Sequence, residues 1–132
     1  MGEMLDNGVA ASPNAKNVFG QLLLQRLTDA RAHVARLNEE IREVTLARRD
    51  TPADDEHDPE GSTVTLEREH DVALLLSAEG QVAELIEAQS RLAKGTYGSC
   101  ERCGQPIPRE RLAVRPEVRF CVPCASIRSK ER

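Results

Sequence analysis

The stretch LLQRLTDARAHVARLNEEIREV, residues 23–44, places apolar side chains at Leu23, Leu27, Ala30, Val34, Leu37, Ile41 and Val44. The steps alternate between four and three residues, the pattern of a coiled-coil seam. No proline falls between residues 17 and 49, and the only glycine there, Gly20, lies in the first turn. The stretch therefore predicts a helix over 17–49, roughly 50 Å long at ~1.5 Å per residue. Arg26, Arg31, Arg36, Glu39, Glu40 and Arg42 occupy the other faces, as solvent-facing positions should.

A second helix is expected from about residue 62 to residue 94, where Leu75, Ala78, Val82, Leu85 and Leu92 repeat the spacing and Gln89 interrupts it. Leu74, Leu76 and Ile86 widen the apolar stripe, so this helix is expected to touch something besides its partner. Its start has two candidate caps. Asp58-Pro59-Glu60 offers a cap acceptor, a first-turn proline and an acid facing the helix dipole; Ser62 is the other. Lys94-Gly95 supplies the stop, a cation at the negative end followed by a residue that tolerates positive φ.

Two antiparallel helices joined by a turn make a hairpin, and the turn is unusual. TPADDEHDPEG, residues 51–61, holds five carboxylates, one histidine and two prolines with no Lys or Arg. An exposed tip is commonly charged, and acids near a helix start stabilise it by roughly 0.3–1 kcal/mol each. His33 and His70 sit among charged helical neighbours and read as solvated, while His57 is placed to tune tip charge near neutral pH.

Composition agrees with slender helices. The 132 residues include no Trp, one Tyr and two Phe, while charged residues make up 30%. Aromatic rings supply much of the buried area of thick cores, and here they are scarce. The net charge of −4 hides six acids and no base over residues 50–60, set against eight Lys and Arg to four Asp and Glu over residues 100–132. No apolar run approaches the ~20 residues that span a bilayer. The first fifteen residues carry no base and no apolar core of a secretory signal. Residues 1–15 read as a mobile arm, and a cytoplasmic location without membrane association is expected.

Cys100, Cys103, Cys121 and Cys124 form C-x2-C-x17-C-x2-C. Each C-x-x-C turn delivers two thiolates, and two turns complete a closed tetrahedron around Zn²⁺, a structural arrangement rather than a catalytic one. Disulfides would need an oxidising compartment, and a redox pair needs only one C-x-x-C. An iron site with four thiolates shares the spacing. Between the knuckles, apolar patches at 112–114 and 118–120 predict small β pieces or turns, and ASIRSKER after Cys124 reads as a short basic helix. Arg102, Arg109, Arg111, Arg115 and Arg119 are suited either to phosphates or to offsetting the −2 charge of a tetrathiolate zinc centre.

GTYGSCERCGQPIPRERLAVRPEVRFCVPC, residues 95–124, fits GxYGxCxxCGxxIxxxRLxxxPxxxxCxxC and, with the hairpin, resembles the DksA/TraR family of bacterial transcription factors with C4-type zinc fingers. The resemblance covers residues 20–128. It implies a long antiparallel coiled-coil hairpin (16–94, acidic tip at 50–61), then a C4 zinc globule with a short C-terminal helix (95–132), holding one structural Zn²⁺.

The resemblance also implies a function: binding RNA polymerase through the secondary channel, in some members together with the nucleotide ppGpp, without specific DNA binding. A hairpin that uses both stripes on each other is expected to be a monomer. Asp54, Asp55, Asp58 and Glu60 are the tip effector candidates. Family members studied in most detail carry D-P-x-D-x-A at the tip. Here Asp58 keeps the first acid, while Gly61 and Thr63 replace the second acid and the alanine. Two other classes are set against this reading. One is a nucleic-acid- or protein-binding zinc module without polymerase-regulating activity. The other is an enzyme using tip carboxylates, which a convex tip unable to exclude water disfavours.

Overall fold

The structure, a computed structural model, describes residues 13–50 and 59–130. Among these residues four helices follow one another: α1 (Pro13–Asp50), α2 (Pro59–Lys94), α3 (Arg109–Val114) and α4 (Val122–Lys130). α1 starts four residues earlier than expected, at a proline. Proline is favoured at the first helical position because its missing N–H has no intrahelical acceptor there. The expected arm over 1–15 lies outside the described residues as far as residue 12, and residues 13–15 are helical.

The same preference decides between the two caps of α2, which begins at Pro59 and has Ser62 inside it. α2 ends as expected. Gly95 takes φ 84°, and Thr96 N–H donates to Arg91 O at 2.9 Å while Gly95 N–H donates to Leu92 O at 3.3 Å. These two bonds close the last turn and satisfy carbonyls the helix leaves open.

The alternating spacing is realised as burial. Leu23, Leu27, Ala30 and Leu37 are buried on α1, with Val34, Ile41 and Val44 half-buried. On α2, Ala78, Leu85 and Leu92 are buried, and Leu75, Val82 and Gln89 are half-buried. Gln89 thus keeps its place in the seam beside a fully buried Ala88. Stepping back four residues from Leu75 reaches Asp71, a buried carboxylate at a seam position. A polar residue there gives up stability and specifies register.

The chain divides into two compact units. One comprises the chain as far as Leu27 together with everything from Ala83 onward; the other is Thr28–Val82. In the first, a Cβ built on Gly20 lies 3.4 Å from Leu92 Cδ2, so the start of α1 approaches the end of α2 closely. In the second, Arg68 Nε donates to Thr45 Oγ1 at 3.1 Å, joining the end of α1 to the start of α2. Each contact requires antiparallel helices. The fold is mainly α, an antiparallel coiled-coil hairpin followed by the cysteine-bearing segment and a short last helix. Leu74, Leu76 and Ile86 are exposed. No described helix is long and apolar enough to cross a membrane.

Leu85→Ala, at a site with no exposure, is expected to cost about 2–5 kcal/mol by denaturant unfolding. Leu76→Ala, at an exposed position, is expected to change stability by under about 0.5 kcal/mol. Gly80 lies within α2, and an added Cβ meets nothing within 4 Å. Gly80→Ala is expected to stabilise the chain by roughly 0.5–1 kcal/mol, because glycine loses the most backbone freedom on entering a helix.

Candidate metal centre

The first cysteine pair lies on a tight turn. Ile107 N–H donates to Gly98 O at 2.7 Å and Cys100 N–H to Gln105 O at 2.8 Å, around an antiparallel bridge between Ser99 and Pro106. Gly98 and Gly104 take φ 91° and 77°, left-handed conformations that curl the chain back toward the cysteines and that other residues adopt only with strain. The second pair is built differently. α4 begins at Val122, between Cys121 and Cys124, with Pro123 in its first turn, where proline costs no hydrogen bond. The last helix therefore starts before Cys124, not after it.

The four sulfurs converge, all lying within 4.8 Å of one another. The Cys103 and Cys121 sulfurs are 3.8 Å apart. A Zn–S bond of about 2.3 Å in a tetrahedron gives sulfur–sulfur edges of ~3.8 Å, so the donor set fits the metal in chemistry and in size. Cys100 and Cys124 are buried, Cys121 is half-buried and Cys103 is exposed.

The thiols differ sharply before any metal is considered. Burial works to raise the Cys100 pKa, but hydrogen bonds from the backbone of Cys103, Cys121 and Arg102, and from the Cys103 side chain, bring it down to about 6. Cys124 is pushed up to about 12, first by its hydrogen bond with the Cys121 side chain, then by burial and by Cys103 and Cys100. One sulfur readily carries a charge, and a second charge beside it is resisted. A dication removes that resistance, since thiolates are the metal-binding form.

The intervening segment corrects the expected β pieces. Residues 109–114 form α3, with Arg111 and Leu112 N–H groups donating to Pro108 O at 3.0 and 3.1 Å. Leu112 is fully buried while Val114 is exposed. Pro108 and Pro116 bracket a short run of helix formers, and a strand there would leave its backbone without a partner. Residues 118–120 are irregular. Arg111, Arg115 and Arg119 are engaged within the chain, although the Arg115 side chain stays mostly exposed. Arg111 Nε donates to Phe120 O at 3.1 Å, Arg115 meets Glu117 at 3.6 Å, and Arg119 meets Glu101 at 3.5 Å while lying 5.3 Å over the Phe120 ring.

The residue that sequence reasoning passed over is Tyr97. It is buried, its hydroxyl donates to Pro116 O at 2.7 Å, and its ring lies 5.9 Å from that of Phe19 on α1. Burial raises its pKa, against the pull of Arg91. The signal was present in the sequence: a lone tyrosine in a glycine-flanked GTYG, in a chain almost without aromatics. Of the tip candidates, Asp54, Asp55 and Asp58 lie outside the described residues. Glu60 falls in the first turn of α2.

The fold and the sulfur cluster define a helical-hairpin protein with one structural C4 zinc site. Residues 95–130 match the prokaryotic dksA/traR C4-type zinc finger. The transcription factor DksA2 from Pseudomonas aeruginosa shares the fold, with a TM-score of 0.72 and 25% identity over 96% of this chain and 97% of that one. The zinc segment thus carries the C4 finger of the DksA/TraR family, and the fold over nearly the whole chain is similar to that of a DksA-type transcription factor. An uncharacterized protein of Aquifex aeolicus is 50% identical over 42 residues, 32% of this chain and 29% of its own length. Uncharacterized protein YteA of Bacillus subtilis is 38% identical over 62 residues, 47% of this chain and 26% of that protein. General stress protein 16O of the same organism is 34% identical over 68 residues, 52% of this chain and 42% of that protein. The matched segments thus span well under half the length of each of these relatives.

Metal uptake at neutral pH is expected to release protons, because Cys124 is protonated in the metal-free cluster and ionised on the metal. Zinc affinity therefore falls on acidification. Calorimetry in buffers of different ionisation enthalpy measures the release, and uptake without protons would contradict it. Cys103→Ser is expected to lose stoichiometric zinc in a metal assay after dialysis.

Proposed function

We propose that this protein is a bacterial transcription regulator that binds RNA polymerase through its secondary channel and brings the acidic hairpin tip near the catalytic centre. The observation that carries the reading is the fold shared with transcription factor DksA2 over nearly the whole of both chains, together with the family zinc finger. The hairpin supports it physically. α1 has 38 residues and α2 has 36, each more than about 50 Å of helix, a length suited to a deep channel.

The regulator acts by shape and charge, without catalysis of its own. The seam residues of both stripes are buried or half-buried within a single chain, which favours a monomer. The tip acids Asp54, Asp55, Asp58 and Glu60 would act on groups that handle Mg²⁺ and phosphates. With Gly61 standing where an acid is usual, polymerase binding is better supported than strong regulation. The nucleotide ppGpp would act at the polymerase interface, and the compartment is the cytoplasm. The alternative is a zinc module that binds nucleic acid or another protein. Arg111, Arg115 and Arg119 speak against nucleic acid, since each is engaged within the chain.

Zinc-loaded protein and core RNA polymerase are expected to bind saturably, in competition with a known secondary-channel factor and more weakly at higher salt. Absence of binding at low salt overturns the proposal and leaves the zinc-module alternative. Asp58→Asn is expected to keep most of the affinity while reducing the effect on transcription from a sensitive promoter. A large loss of affinity instead makes Asp58 an anchor.

A further inference from the structure

Five consecutive carbonyls, those of residues 113–117, lie between the cysteine pairs in sequence, and each is held. Arg26 of α1 donates Nη1 to Val114 O at 3.0 Å and Nη2 to Ala113 O at 3.4 Å. Arg91 of α2 donates to Glu117 O at 3.4 Å. Tyr97, just past α2, takes Pro116 O, and Arg115 O accepts Val118 N–H at 3.1 Å. Side chains from both long helices thus grip one row of backbone. Arg26 also caps α3, whose last carbonyls have no partner inside so short a helix.

The same row is tied to the metal ligands. Glu101, between Cys100 and Cys103, meets Arg119 at 3.5 Å and Arg91 at 3.9 Å, and its N–H donates to Arg119 O at 2.9 Å. Arg111 holds Phe120 O, next to Cys121. From each cysteine pair, then, a contiguous chain of hydrogen bonds and ion pairs leads to the helix ends. These ends and the cysteine segment fall in one compact unit, and Thr28–Val82 in the other.

We propose that zinc occupancy fastens the ends of both long helices. With metal bound, residues 113–117 are held in the geometry that Arg26, Arg91 and Tyr97 grip. Without it the row slackens, and residues 13–27 and 83–94 open together with the zinc segment in one cooperative step, while 28–50 and 59–82 stay helical. A metal-free zinc segment unfolding by itself, beside helix ends that stay intact, is the opposite outcome. The proposal does not depend on polymerase binding.

Hydrogen exchange on the full chain, zinc-loaded and after chelation, separates the two. Residues 13–27 and 83–94 are expected to lose protection along with 95–124, by at least about tenfold, the worth of one charge-assisted hydrogen bond. Residues 28–50 and 59–82 are expected to change little. Protection kept at 13–27 and 83–94 while 95–124 opens overturns the proposal, and so does loss of protection over the whole chain. The zinc-loaded double variant Arg26→Gln/Arg91→Gln provides a second readout. It is expected to keep one zinc, to exchange about tenfold faster at 13–27, and to shift the emission of Tyr97, the chain's one tyrosine in the absence of tryptophan. Wild-type protection and emission in that variant overturn the proposal. If the double variant fails to fold, Arg26→Lys, which keeps the charge and loses the two-pronged grip, is read in the same way.

Discussion

Four thiols whose sulfurs lie within 4.8 Å of one another cannot all ionise without a cation among them. Everything after Gly95 follows from that constraint. The segment has two short helices, one bridge and few apolar residues, too little to offset the conformational entropy of ordering it. Metal binding supplies folding free energy that a small core cannot. The order so imposed is then used at the helix ends, through a row of carbonyls and one buried tyrosine.

The hairpin rests on different physics. Its stability comes from a stripe of leucine, alanine, valine and isoleucine repeated every seven residues, a local pattern that can be read from sequence. For that reason the inward positions on α1 from Leu23 onward were legible down to single residues, while the buried Ala15 and Phe19 before them were not. Asp71 was not, because an acid at a seam position carries no apolar mark. The start of α2 was ambiguous until backbone placed Pro59 first, and the start of α1 was hidden by another proline.

In the zinc segment, legibility divides between chemistry and packing. The four cysteines announce themselves by spacing, two C-x-x-C pairs in the pattern of a four-thiolate metal site. α3 was missed because a helix of six residues, set between two prolines, is too short to show a helical period. The arginines were equally opaque. Arg111, Arg119 and Arg91 owe their roles to Phe120 O and Glu101, partners that the folded chain brings together and that leave no local trace. Tyr97 finds its acceptor nineteen residues away. Such pairings are made by tertiary structure, and only the scarcity of aromatic residues hinted that this one mattered.

Function enters through likeness of fold and through charge placed at one end of a helix pair. The most direct measurement is photocrosslinking to core RNA polymerase from a reactive side chain at position 61, compared with one at position 127 on α4. Crosslinks from position 61 to the region around the catalytic Mg²⁺, and from position 127 to the channel rim or to nothing, are expected. Crosslinks from position 127 alone, or to DNA, would contradict the account.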